Sequence, residues 1–188
     1  MKKEYTREKL LTTATELQQK LGSANLCLVD VRPAEQFAQG HIPGAVHFDL
    51  FGLSLVDTRE APLKAFMHMI HHVLELRGLS ADKEVVFYEE NSGMRAARGL
   101  WFLEFFGHPK ARMLDGGIQA WRAMGGRITN DPITPKAATF KTIQQREVLA
   151  TADDVLRSLN KKGIIILDTR SDGEYLGTHV RAARGGAI

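Results

Sequence analysis

The chain has 188 residues, 44% apolar and 25% charged, with a formal net charge of +3. That is room for one or two domains of ~100–150 residues, and the composition of a globular protein rather than a disordered one. The 25 Lys and Arg are scattered and do not interleave with aromatics, so no nucleic-acid partner is expected.

No apolar run approaches membrane-spanning length, and the start MKKEYTREKL lacks a signal-peptide core; no membrane association is expected, and a cytoplasmic location fits best. The single Cys27 leaves no internal disulfide and no cysteine-based metal cluster. No cofactor is called for.

In chain order, Thr6 is placed to cap a helix from Arg7 to about Lys20, ended by Gly22. LCLVDV (26–31) reads as a strand, and Pro33 and GHIPG (40–44) mark turns. AVHFDL extends briefly after them. From Leu63 to Arg77 the apolar positions Leu63, Phe66, Met67, Ile70, Val73 and Leu74 form the stripe of an amphipathic helix. EVVFY (84–88) is apolar enough to be a strand covered on both faces. A helix over roughly 93–106 is apolar nearly all round, ARML (111–114) is a further strand, and Asp115, Gly116 and Gly117 turn the chain into a helix containing Trp121. This alternation predicts an α/β domain with a mainly parallel sheet flanked by helices.

After Gly125-Gly126, RITNDPITPKAATFKT has little periodicity and much turn signal and reads as a linker. The first pattern then restarts. Thr151 and Asp154 suit a capping box, a helix runs to about Lys161, and GIIILDT (163–169) reads as a buried strand. Asp30-Val31-Arg32 falls opposite Asp168-Thr169-Arg170, and Phe37 opposite Tyr175, at one offset of 138 residues. With eight residues inserted, Gly40 and Ile42 meet Gly186 and Ile188, while His41 meets Ala187. The chain reads as a duplicated domain: a first copy over 1–127, a linker over 128–146, and the truncated start of a second copy over 147–188. Some 40 residues are too few to enclose a core unaided.

LVDVRPAEQFAQGHIPGAVHF and MLDGGIQAW resemble the opening and closing segments of the rhodanese-type sulfurtransferases. EVVFYEENSGMRAARGLWFLEFFGH stands where that family keeps its active-site loop and following helix. The resemblance covers nearly all of 7–125 and resumes near 151, which is the tandem pattern of thiosulfate and 3-mercaptopyruvate sulfurtransferases. It implies sulfur transfer from a small anionic donor, through a cysteine persulfide, to cyanide or a thiol. It also implies a cysteine at the head of the loop, where helix N–H groups stabilise thiolate and anion. That position falls here on Glu89 or Glu90, so this copy matches the cysteine-less N-terminal domain of the tandem enzymes, packed against a second rhodanese domain that bears the cysteine. Glu174 takes a place where some tandem members carry a donor-binding arginine.

Beside the resemblance each motif has a plain physical reading. Asp30 and Arg32 share one face of an extended chain, so Asp30 can accept N–H bonds of the next turn while Arg32 braces a carboxylate or loop carbonyls. Gly40, His41 and Gly44 belong to a tight turn, and Gly116-Gly117 to a strand-to-helix corner; Asp115 and Trp121 complete this structural set. Arg95 and Arg98, and Arg170 in the second copy, are candidate anion-binding cations, with pairing to the adjacent glutamates the simpler account of the first two. Cys27 reads as a buried, inert thiol. His68, His71, His72 and Glu75 read as a solvated helix face rather than a metal site, and Trp101, Phe102, Phe105 and Phe106 as core. A stand-alone inactive module binding a protein or small anion is the alternative. Glu89 to Arg95 has the C-x5-R spacing of a phosphatase loop, but lacks its cysteine.

Overall fold

The strands β2 (Leu26–Asp30) and β4 (Glu84–Tyr88) pair in parallel over five residues, Leu26 opposite Glu84 and Asp30 opposite Tyr88. β3 (Ala45–His47) lies on the far side of β2; β5 (Ala111–Leu114) and then β1 (Leu11–Thr12) lie beyond β4. The order is β1-β5-β4-β2-β3 with every pairing parallel. The computed structural model describes residues 10–180, and the chain divides between Leu149 and Ala150 into two units.

A parallel sheet needs cover on both faces, and the alternation within β2 and β4 provides two apolar sides. Cys27, Val29, Val85 and Phe87 face a core built with α3 (Glu60–Leu76) and α4 (Met94–Phe105). Leu28, Val86 and Tyr88 face a smaller core built with α1 (Ala14–Lys20) and α5 (Gly117–Ala123). α4 approaches its strand so closely that a Cβ on Gly99 would stand 2.6 Å from the Phe87 ring. Phe102, Phe105 and Phe106 are buried in the first core. Cys27 is buried beside them, and burial pushes its thiol up to about 11.

In the first unit three expectations change. Helix α1 starts at Ala14 with Thr13 as its cap, completed by a capping box with Glu16. Leu11 and Thr12 pair instead with Met113 and Leu114 at the sheet edge; Thr6 lies outside the described residues. A short helix α2 (Ala34–Gln39) follows Pro33 where only a turn was expected. The segment after Thr129 packs along the first unit as a strap. His41 and Thr129 exchange backbone bonds of 2.9 Å, Ala138 N–H donates to Glu75 O, Phe140 is buried in the core, and Gln145 N–H donates to Phe105 O. Trp101 Nε1–H donates to Val148 O just before the unit ends. A periodicity search cannot find such a strap, because its one buried aromatic has no repeat.

In the second unit the Thr151–Asp154 capping box opens α6 (Ala152–Ser158), and α7 (Asp172–Tyr175) is capped by Ser171. The buried strand expected over 163–169 is not formed. Those residues have no ladder partner among the described residues, and Ile165 and Leu167 are 90% and 79% exposed. A strand needs both a neighbour to hydrogen-bond and a surface to cover its apolar side chains. The Gly40/Ile42 counterparts, Gly186 and Ile188, with Ala187, lie outside the described residues.

Candidate functional site

In open α/β sheets ligands bind beyond the carboxyl ends of the strands. Here β2, β4 and β5 end at Asp30, Tyr88 and Leu114, and the loop 89–93 joins β4 to α4. Asp30 and Arg32 form its buried floor. Arg32 donates Nε–H and Nη2–H to the Asp30 carboxylate and its backbone N–H to Asp30 Oδ1, at 2.7 to 3.1 Å, and Nη2–H also reaches Gly40 O at 2.8 Å. Tyr88 roofs this pair: its hydroxyl accepts the Ile42 N–H at 3.1 Å, and Arg32 lies over its ring. Burial first, and then the Asp30 charge, hold the Tyr88 hydroxyl well above its ordinary pKa, so it stays protonated.

The two glutamates at the lip point in different directions. Glu89 turns inward, and its Oε1 accepts the Ala96 N–H of the first turn of α4 at 2.9 Å. Its backbone carbonyl accepts the Ile118 N–H of α5 at 2.9 Å. Glu90 turns outward, with Oε2 3.5 Å from Arg32 and Oε1 3.5 Å from Arg122, and it accepts the Gln119 side-chain N–H. Ser92 Oγ accepts the Gly116 N–H at 2.6 Å and donates to Asp115. Gly117, at φ +57°, allows this closure: a Cβ there would stand 2.5 Å from Glu89 O and 2.7 Å from Asn91 O.

The remaining expected residues fall into place around this loop. Arg95 does not pair with either glutamate. It binds Asp49 at 2.7 Å and stacks over Phe51, while Arg98 donates to the carbonyls of Leu50, Phe51 and Leu53. Both arginines therefore pin the segment 49–53. Arg170 pairs with Asp168 in the second unit at 2.6 Å, and Glu174 is engaged in the cap of α7. His41 is buried and stacked on Phe37, with its ring nitrogens 3.0 and 3.2 Å from the carbonyls of Phe37 and Asp131. Gly40, Gly44 and Gly116 all have positive φ, and Trp121 is buried with Nε1–H on Arg127 O.

His68 and His72 are exposed, but His71 is half-buried under the strap, 2.9 Å from Phe140 O and 3.5 Å from Glu75; the solvated-face reading fails for it. Among the described residues no group of His, Cys, Asp or Glu is arranged to hold a metal, and no helix is long and apolar enough to cross a membrane. Asp49, Tyr88, Ser92 and Gly93 are parts of the site that sequence reasoning missed. Of these only Gly93 carried a signal, as the glycine opening the α4 pattern.

The fold that carries this loop is shared with known proteins. The rhodanese-like domain model matches residues 13–124. The chain belongs to the rhodanese-like family. It is 34% identical over 147 residues to a thiosulfate sulfurtransferase of Cricetulus griseus, covering 77% of this chain and 49% of that one. It is 30% identical over 179 residues to a thiosulfate sulfurtransferase of Azotobacter vinelandii, covering 95% and 66%. Among solved structures, a 3-mercaptopyruvate sulfotransferase of Escherichia coli superimposes with a TM-score of 0.70 at 24% identity, over 80% of this chain and 62% of that one; this last likeness is one of fold. The chain spans about half to two thirds of the length of these relatives.

Proposed function

We propose that this chain is the non-catalytic copy of a tandem sulfurtransferase, whose complete form moves a sulfane sulfur from thiosulfate or 3-mercaptopyruvate to a thiophile such as cyanide. Its task there is to pack against a second rhodanese domain and wall one side of the cleft that admits the small anionic donor. The reading includes a cytoplasmic setting. One observation carries it: the loop that opens α4 holds the Glu89 carboxylate on the Ala96 N–H and contains no thiol.

Sulfur transfer needs a nucleophile that attacks the outer sulfur of the donor, forms a persulfide and releases sulfite or pyruvate. A carboxylate cannot do this. The one thiol, Cys27, is buried in β2 and held protonated at neutral pH by desolvation. The test is a cyanide-coupled assay of the 188-residue chain with thiosulfate. No thiocyanate above background is expected; turnover, or mass-spectrometric detection of a persulfide on Cys27, overturns the reading.

A second reading, a self-standing inactive module that binds a protein or small anion, draws support from the strap. The packing of Phe140 and Val148 on α3 and α4 gives the first unit a closed core. Intact mass of the native gene product separates the two.

A further inference from the structure

The loop's two independent oddities, a carboxylate on a helix N-terminus and a glycine pressed against it, have one explanation. Ala96 is the third residue of α4, so its N–H has no acceptor inside the helix. Glu89 Oε1 takes that N–H at 2.9 Å, an ordinary hydrogen-bond length. The helix N-terminus favours the negative charge. Gly93 makes room for it: a Cβ there would lie 2.9 Å from Glu89 Oε1, 3.0 Å from Cδ and 3.2 Å from Oε2. The Ile118 N–H on Glu89 O pins the same residue from the other side.

Resting on the reading that this copy is non-catalytic, we propose that the Glu89 carboxylate is the resident anion of its cradle. It is a positioning residue that holds the start of α4 and keeps free oxyanions, the sulfur donor included, out of this copy. A tethered group competes at an effective concentration on the order of millimolar or more. A weakly held free anion does not displace it. The domain thus keeps the shape of an anion-binding loop while directing the donor to whatever site has a thiolate.

The test is amide hydrogen exchange at Ala96 in the full chain, with and without thiosulfate. In the wild type, exchange at Ala96 is expected to be slow and unchanged by thiosulfate. In Glu89→Ala it is expected to be about tenfold faster, as befits a lost bond to a charged acceptor, and slowed again by thiosulfate. Gly93→Ala, which keeps the carboxylate but pushes it out, is expected to raise the Ala96 rate in the same way. Saturable slowing at Ala96 by thiosulfate in the wild type overturns the proposal without any variant. So does a Glu89→Ala chain whose Ala96 amide stays slow or ignores thiosulfate. Thiocyanate release, by contrast, overturns only the preceding reading, since the exchange rate at Ala96 does not depend on turnover.

Discussion

The same two-residue clasp joins Asp30 to Arg32 in the first unit and Asp168 to Arg170 in the second, and Asp57 and Arg59 form it a third time on the surface of the first unit. Arg32 and Arg170 each donate the backbone N–H to the aspartate two residues earlier at 3.0 Å, Nε–H to the same oxygen at 3.0 Å, and Nη2–H to the other oxygen at 2.7 and 2.6 Å. Arg32 and Asp30 are 2% and 0% exposed, whereas Arg170 and Asp168 are 36% and 23% exposed. The local sequence D-x-R is therefore enough to build the clasp. Its burial comes from elsewhere, from β3 and β4 on either side of β2 and from Tyr88 above. Repetition in sequence carries over the geometry but not the energetics.

That contrast can be broken most sharply by removing the acid. Asp30→Ala strips Arg32 of its main partner inside a dry core, and an uncompensated buried charge costs about 3–5 kcal/mol. Asp168→Ala leaves a solvent-facing arginine and is expected to leave the urea midpoint of the first unit unchanged. Equal effects of the two substitutions in urea titrations would mean that burial does not separate the clasps.

The strap and the unformed strand make a second comparison, since both lie outside any sheet. Phe140 is buried against α3 and α4, whereas Ile165 is 90% exposed. Phe140→Ala is expected to cost about 3 kcal/mol and to speed proteolysis between 130 and 145. Ile165→Ser is expected to change neither the midpoint nor the cleavage pattern.

How much of this was legible follows from what each signal depends on. Helix α3 was readable because its apolar positions repeat at the helical period, and β2, β4, β5, α4 and α5 because short or long apolar runs are bounded by turn residues. The failures share a different cause. GIIILDT has the composition of a buried strand, yet composition cannot supply the neighbours that β2 finds in β3 and β4. Arg95 and Arg98 sit beside two glutamates in sequence, but a helix directs their side chains to Asp49 and the carbonyls of 50–53, which no local pattern connects to them. The glutamates themselves were visible as misfits where the family resemblance implies a cysteine. That Glu89 fills the cradle while Glu90 bridges Arg32 and Arg122 needed coordinates.

Cys27 sharpens the comparison through chemistry, because the repeat places it opposite Ile165. Its pKa is raised from 9.0 to about 11 by burial. Between those values the unfolded thiol ionises first and the unfolded chain binds fewer protons, so stability falls as pH rises from about 9 to about 11, by roughly 3 kcal/mol in all. Comparison of urea midpoints with Cys27→Ala across that range isolates this contribution. At pH 8 the thiolate fraction of Cys27 is about a hundredfold below that of a free thiol. A cysteine placed at the exposed position, Ile165→Cys, is expected to react with a maleimide at the free rate while Cys27 stays silent.

The smallest effect separates contact from conformation. Gly117 and Gly163 both have positive φ, +57° and +86°. A Cβ on Gly163 meets nothing within 4 Å, whereas one on Gly117 meets the carbonyl oxygens of Glu89 and Asn91. Alanine at either position carries the strain of a left-handed backbone, about 1 kcal/mol. At Gly117 the backbone overlap adds to it, because the Glu89 carbonyl oxygen, held by the Ile118 N–H, cannot rotate away as a side chain would. Gly117→Ala is therefore expected to cost about 2 kcal/mol and to shift the Ala96 and Ile118 amide resonances together, since one loop movement withdraws both acceptors of Glu89. Gly163→Ala is expected to leave both resonances where they are. If Gly117→Ala moves Ile118 alone, the side chain and the carbonyl of Glu89 are not held as one piece.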